Sequence, residues 1–525
     1  MNTLISTEQF QLLKQVWRLS LPVLITNLLQ SLVSVVDVFM VGRLGPIPIA
    51  AVGMGTVIRT LVVVMVLSVA AGAMSLIAQA KGARDPERMS FVTRQAISSG
   101  FLLSLVLLVV GLATARPLLQ LANSGGDPEA VRLGTAYLQI LFLGMPFLVL
   151  NVVFDRLMQG AGDTMTPLIL NGALNLLNIG FNYIFMFGLG FIPAYGLQGA
   201  AIGTVIARGL GLVLAFLIIY SGKNIVKILP GSYRPDWQMF RDIFAIGVPS
   251  GIQGIFRNGS RLLVISIITS TEAGTYGAAA LAIGLQVESL AFMPVLGINV
   301  AATSLVGQSL GSWQTEEARR RGNTAVYLGV ALMIVLITPL VAFAPAIIRL
   351  FDPSAHPVLL QTGTLYMRIN TVFLPFSAVA MVANGALRGA GDSTPGMMST
   401  ILTRAAGSVT LAYLLGIVLG YGSTGVWWAL ALGMVGEAVY MAWRWRGDVW
   451  LEVALHKTDL YRQHLHHLPA AVQEQFLREV RAPLMARPFT LEQVNETGVV
   501  YQTADHTVTV HFSAEGYEMV TAVAL

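Results

Sequence analysis

The long apolar runs of this 525-residue chain hold very few ionisable side chains, and those few have the most chemistry to offer. The carboxylates are Asp37, within Ser34-Val-Val-Asp37-Val-Phe39, then Glu288 and Glu437. The cations are Arg59, Arg208, Arg257, Arg261, Arg368 and Arg404. A charge in hydrocarbon is costly unless paired or neutralised, so each is a functional candidate. Asp37 has no basic neighbour on its own helix face. A buried carboxyl without a partner favours its neutral form. Such a group can take a proton on one side of a barrier and release it on the other; ionised, it can hold Na⁺ among neutral oxygens. Asn175, Asn178 and Asn182 follow in a later run, with Asn178 and Asn182 one helical turn apart on one face. Their amides, facing Asp37, would serve either role, or they would simply join helices by hydrogen bonds. Glu288 is expected to pair with Arg257 or Arg261, and Glu437 to be interfacial or paired. Tyr137 and Tyr366 stand at matching points near helix starts, where interfacial belts also place tyrosine. The one histidine before residue 448, His356, falls in a loop, so any proton carrier in the apolar runs is a carboxylate.

Several chemistries are excluded. With no cysteine there is neither a disulfide framework nor a thiolate metal site. No Gly-x-x-x-x-Gly-Lys-Ser/Thr phosphate loop occurs, so ATP hydrolysis by this chain is unsupported. His-Glu-x-x-His is absent, and the apolar runs offer no Ser/His pair, so the chain does not read as an enzyme. His464, His466 and His467 lie close together but lack carboxylates or cysteines at ligand spacing, and read as a solvated helix face. No resident cofactor or metal is expected.

The elements that carry these residues follow from composition. The chain is 55% hydrophobic and 11% charged, with mean hydropathy +0.70, whereas a soluble protein carries about 25% charged residues. Apolar runs long enough to cross roughly 30 Å of hydrocarbon recur along it. Twelve spans are read, at 16–41, 52–78, 92–114, 130–157, 166–188, 196–219, 242–268, 275–308, 323–345, 359–386, 395–418 and 423–446; the longest are expected to be tilted, or broken near a glycine. The fold class is therefore an all-α polytopic membrane protein embedded in a lipid bilayer. No cleaved signal peptide is read at the N-terminus. The net charge of +5 resides in short loops and does not point to nucleic acid. With the N-terminus inside, inner loops hold Lys81, Arg84, Arg88, Arg156, Lys223, Lys227, Arg234, Arg241, Arg319, Arg320, Arg321 and Arg388. Outer loops hold Arg43, Arg116, Arg349 and little else, which places both termini in the cytoplasm.

Four units result: an N-terminal six-helix lobe at 1–219, an inter-lobe linker at 220–241, a C-terminal six-helix lobe at 242–447, and a soluble extension at 448–525. The extension reads as a helix near 456–482 followed by a small β element that includes Val508–Phe512.

An internal repeat supports two lobes. Ser75-Leu-Ile-Ala-Gln79 recurs as Ser304-Leu-Val-Gly-Gln308, 229 positions on. Tyr137 and Pro146 recur as Tyr366 and Pro375, and Gln159-Gly-Ala-Gly-Asp163 as Arg388-Gly-Ala-Gly-Asp392, at the same offset. Six-helix repeats keep their orientation, so the halves are related by an axis along the membrane normal, with substrate held between or within them near the midplane. That is the organisation of a secondary transporter. The Gly-Ala-Gly-Asp stretches read as tight turns whose Asp163 and Asp392 cap the following helix, with Pro167 and Pro395 in its first turn; a gating role through a loop ion pair is the alternative.

Leu21-Pro22, Val36-Asp37-Val-Phe-Met-Val-Gly42, the two Gly-Ala-Gly-Asp turns, Asn178-x-x-x-Asn182 and Gly199-Ala-Ala-Ile-Gly-Thr204 resemble the multidrug and toxic compound extrusion (MATE) family over about residues 15–446. The resemblance implies a V-shaped monomer of twelve helices that exchanges organic cations or amphipathic compounds for H⁺ or Na⁺ across a prokaryotic inner membrane. It implies a cation-coupling cluster at Asp37, Asn178, Asn182 and Thr204, with Tyr137 nearby; Glu288 and Arg257 are further substrate-cavity candidates. Relatives often carry aspartate where Asn182 stands, and one carboxylate fewer favours protons over Na⁺. A second-lobe cation site used by another subgroup needs carboxylates at positions that fall here on Arg257 and about Ser377, and both are missing. The other reading is a flippase for lipid-linked oligosaccharide, whose cavity must be cationic; the six arginines above support it.

Overall fold

The computed structural model describes residues 7–122, 127–222, 224–312 and 314–457, together with four strands between 489 and 522. The first lobe comprises α1 (Thr7–Gly42), α2 (Pro46–Gly82), α3 (Pro86–Ala122), α4 (Pro128–Leu143), α5 (Met145–Gly160), α6 (Met165–Phe187) and α7 (Leu197–Tyr220). The second comprises α8 (Trp237–Thr269), α9 (Gly274–Gly311), α10 (Thr315–Ala342), the short α11 (Ala344–Phe351), α12 (Pro357–Asn370), α13 (Leu374–Gly389), α14 (Thr394–Ser399), α15 (Val409–Tyr413) and α16 (Gly422–Arg446). Wider π-helical turns at Thr400–Ser408 and Leu414–Val418 flank α15.

Among the described residues, ten helical stretches are long and apolar enough to cross a bilayer, and α4 with α5, bent by 53°, makes an eleventh. The twelfth place is taken by α8, 33 residues long but made less apolar by Arg241, Asp242, Arg257 and Arg261. The span read at 130–157 is thus broken, at Gly144, and the span read at 359–386 is broken at the single 3-10 turn Thr371–Phe373. Both breaks directly precede the repeated prolines, Pro146 and Pro375, at the second position of the next helix. Proline has no N–H to give to the turn before it, so the helix stops there and restarts. The longest span is not broken: α9 runs through Pro294 for 38 residues.

The two lobes exchange helix ends. The core of the first lobe includes Met239, Ile243 and Ile246 from α8, and that of the second includes Val16 from α1. The far end of α1, with Met40 and Val41, packs on Met186, Leu197 and Ala200 of the first lobe. One helix is therefore anchored in both lobes, with Pro22 between the anchors.

After α16 a short α17 (Val449–Lys457) follows. The rest of the helix expected near 456–482, and His464, His466 and His467, lie outside the described residues. The expected β element is an antiparallel meander, β1 (Phe489–Asn495), β2 (Gly498–Thr503), β3 (Thr507–Ser513) and β4 (Gly516–Ala522). Val510 pairs with Met519 in β4, and a bulge interrupts β1 between Leu491 and Gln493.

Candidate ion-coupling site and lobe junction

Helices α6 and α7 form a hairpin that two glycines bring to backbone contact. A Cβ at Gly199 would lie 2.1 Å from the Phe185 carbonyl oxygen, and one at Gly203 would lie 2.4 Å from Asn182 Oδ1. Small residues four apart allow such an approach. It sets Thr204 beside the two asparagines: Asn178 Nδ2 donates to Thr204 Oγ1 at 3.1 Å. The asparagines bond each other at 3.3 and 3.4 Å. Asn182, 1% exposed, then donates to Asp37 Oδ1 at 2.9 Å. The Thr204 hydroxyl also donates to the Ala200 carbonyl at 2.8 Å, one turn back. All four residues singled out by motif stand in one connected cluster, spanning α1, α6 and α7.

Asp37 lacks a basic neighbour on α1, but Arg59 of α2 and Arg208 of α7 are close enough to act on it electrostatically. Tyr137 lies within the influence of the same two arginines and of Asp37, and packs in the first-lobe core. It makes no hydrogen bond to the four, among the described residues.

The second lobe departs from expectation. Glu288 is not paired with Arg257 or Arg261; it accepts a hydrogen bond from the Tyr366 hydroxyl at 2.7 Å. The reason is steric. Gly284, one turn before Glu288, leaves room for the Tyr366 ring, which a Cβ there would meet at 2.0 Å. The Trp427 ring closes on the other side, edge-on at 4.7 Å. Tyr366 is 1% exposed, so it belongs to a core and not to an interfacial belt. Glu437 is paired, with Arg404 at 2.8 Å. Arg404 also donates to Ser377 Oγ at 3.0 Å, so where a carboxylate is missing from the second lobe a hydroxyl holds an arginine. Removing one partner of such a pair leaves an uncompensated charge at a cost of about 3 kcal/mol. Glu437→Gln is expected to lower the melting midpoint of the detergent-solubilised protein; an unchanged midpoint would mean that water compensates Arg404.

One carboxylate escaped the sequence reading. Asp155 of α5 accepts both its contacts from Asn171 Nδ2, at 3.0 Å each. It lies inside the span read at 130–157, beside Arg156, which is counted with the inner-loop cations.

The Gly-Ala-Gly-Asp turns close as the residues require. Gly162 and Gly391 take φ of +88° and +86°, a conformation natural only to glycine. Asp163 accepts from the Thr166 N–H at 2.9 Å, and Asp392 from the Thr394 N–H at 3.3 Å. Asp392 also pairs with Arg444 at 3.3 Å. The carbonyls just before these turns have a second use. Gly160 and Gly389 end α5 and α13, where the last carbonyls have no intrahelical partner. Ser75 and Gln79 of the first lobe donate to the Gly389 oxygen at 3.2 and 3.0 Å. Ser304 and Gln308 of the second lobe donate to the Gly160 oxygen, each at 3.0 Å. Helices α2 and α9 touch at the same level: a Cβ on Gly82 would meet the Gln308 oxygen at 1.9 Å, and one on Gly311 the Gln79 oxygen at 1.9 Å. The repeat is therefore a reciprocal latch. Each lobe offers an amide, a hydroxyl and a glycine to the other, and together they shut the basic end of the junction.

The MatE family model matches residues 22–184 and 249–421, one stretch in each half of the repeat. A probable multidrug resistance protein NorM of Pseudomonas aeruginosa is 30% identical over 446 residues, 83% of this chain and 89% of the relative. Another, of Thermotoga maritima, is 26% identical over 439 residues, 84% and 92% of the two chains. A solved structure described as the outward-facing conformation of a multidrug resistance MATE family transporter matches with TM-score 0.76 at 25% identity, over 85% of this chain and 99% of that one. With the family model covering both lobes and the relatives aligned along nearly their whole length, the chain belongs to the MATE family of multi-pass membrane transporters.

Proposed function

We propose that this protein is a multidrug efflux antiporter, exporting organic cations or amphipathic compounds in exchange for H⁺, with Na⁺ as the second choice of ion. It works as a monomer in a prokaryotic inner membrane with both termini in the cytoplasm. The observation that carries the reading is the hydrogen bond from Asn182 to Asp37, at the head of a chain that continues to Asn178 and Thr204.

Ionised, the Asp37 carboxylate only accepts. Protonated, it gains a hydroxyl that needs an acceptor, and the Asn182 amide supplies one when it turns its oxygen toward Asp37. That reversal pulls on Asn178 and Thr204, so α1 shifts against α6 and α7. The cavity of the first lobe narrows and substrate leaves outward. Because the other end of α1 is packed in the second lobe, with Pro22 between, the shift reaches the junction. The latch then opens, the empty carrier turns inward and the proton is released. The second carboxylate that would suit Na⁺ is replaced by Asn182. Asn182→Asp is accordingly expected to confer Na⁺-stimulated transport, read as initial efflux rate with and without Na⁺ at fixed pH; a rate indifferent to Na⁺ would count against this choice of ion.

The direct test is efflux of a fluorescent organic cation from proteoliposomes under an imposed pH gradient and, separately, a Na⁺ gradient. A second reading, export of a lipid-linked anion, is favoured by one observation. Of Arg59, Arg208, Arg257, Arg261, Arg368 and Arg404, only Arg404 is ion-paired among the described residues. Failure under both gradients, with arginine-dependent movement of a lipid-linked sugar, would select that reading.

A further inference from the structure

The basic end of the junction holds a cavity of about 580 Å³. Lys81, Arg84 and Lys227 reach it from the first-lobe side, Arg321 with Gln308 and Gln314 from the second, and among the described residues no carboxylate lines it. Among the described residues Lys81, Arg84 and Lys227 form no ion pair. Asp85 accepts from the Arg88 N–H at 2.9 Å, and Arg321 is itself paired with Glu317 at 2.8 Å, so the cations left without an acid are the three on the first-lobe side.

Two features of the backbone around the cavity bear on these cations. Lys227 lies in the inter-lobe connection, whose backbone is pinned to α3: Ser90 Oγ accepts from the Leu229 N–H at 2.7 Å, and Arg94 donates to the Leu229 carbonyl at 2.6 Å. Arg84 is the only non-glycine residue at positive φ among the described residues, at 55°. That conformation costs an L-residue roughly 1–2 kcal/mol, and glycine is its natural occupant. An arginine therefore stands there against the preference of the backbone.

We propose that this cavity binds a phosphate group, that of an anionic lipid headgroup or of a soluble phosphate compound, which joins Lys81, Arg84 and Lys227 to the amides of Gln308 and Gln314 across the junction and holds the cytoplasmic end shut. Guanidinium and ammonium groups converging from several elements suit a multivalent oxyanion, and basic pockets between membrane helices on the cytoplasmic side take lipid phosphates. The site lies against the latch, since Gln308 belongs to both.

The test uses the full chain in nanodiscs of phosphatidylcholine. In one arm inorganic pyrophosphate is titrated; in the other, phosphatidylglycerol replaces part of the phosphatidylcholine. The thermal unfolding midpoint is read for the unmodified chain, for Arg84→Gly and for Lys227→Gln. The midpoint is expected to rise with at least one of the two probes, and the apparent affinity to fall about tenfold in each variant. Without probe, Arg84→Gly is expected to raise the midpoint, because the strained position is relieved; a residue with only a structural role would not couple that gain to a lost response. A response to pyrophosphate assigns a soluble ligand, and a response to phosphatidylglycerol alone a headgroup. No response to either, or a response undiminished in both variants, would overturn the proposal.

Discussion

Asp37→Asn is expected to abolish uphill efflux while leaving the protein folded. The substituted side chain still offers a carbonyl oxygen to the Asn182 amide, whose bond to Asp37 measures 2.9 Å, so packing around α1, α6 and α7 survives. What is lost is the exchange between an acceptor-only carboxylate and a protonated donor. Moving one charge through about 100 mV is worth about 2.3 kcal/mol, which sustains a substrate gradient of roughly 50-fold. In proteoliposomes with an imposed pH gradient, the steady-state substrate ratio of the variant is expected to fall to unity. Substrate binding in detergent should be retained. A variant that still accumulates substrate against its gradient would show that the coupling proton travels elsewhere, with Asp155 the next carboxylate to examine.

The second large effect is expected at the junction. Gly82→Ala and Gly311→Ala each place a methyl group 1.9 Å from a carbonyl oxygen of the opposite lobe, a distance that no packed carbon and oxygen tolerate. Helices α2 and α9 must separate. Separation breaks the bonds from Gln79 to Gly389 and from Gln308 to Gly160, each 3.0 Å, and the accompanying serine bonds. At roughly 0.5–1.5 kcal/mol each, loss of the four shifts the balance toward the state open at the basic end of the junction by roughly 2–6 kcal/mol. The chain contains no cysteine, so Ser75→Cys, at a fully buried position and with the loss of one of the four bonds, reports on the remaining three. In the otherwise unmodified protein, a membrane-impermeant maleimide added from the side of the basic loops should label it slowly, and in either alanine variant quickly. Equal labelling rates would mean that the latch does not control closure.

Hydropathy was enough to place the spans, because each must satisfy its backbone within itself while crossing hydrocarbon. That constraint acts on every window of the chain and leaves a local signal. The 229-residue repeat was legible for a related reason: two lobes of like build need the same turns and breaks at the same places, and glycine and proline mark them. Even Gly199 and Gly203 stood in the sequence as a motif, although their purpose, bringing Thr204 to the asparagines, needed the α6–α7 hairpin to be seen.

Pairing between distant segments was another matter. Glu288 was assigned to an arginine, since charge is the only partner preference that a sequence displays; the glycine at 284 that seats the Tyr366 ring instead is unremarkable in a helix until α12 packs against it. The repeated Ser-x-x-x-Gln segments announced symmetry but not contact. Gln79 and Gly389 are 310 positions apart, Gln308 and Gly160 are 148 apart, and neither residue type advertises a partner. Composition and periodicity pointed to a twelve-helix membrane protein of two like halves, and the family resemblance implied that Asp37, Asn178 and Asn182 belong together. Tertiary structure alone decided that the repeat closes on itself across the junction, because a carbonyl left over at a helix end binds whichever donor the opposite lobe brings within 3 Å.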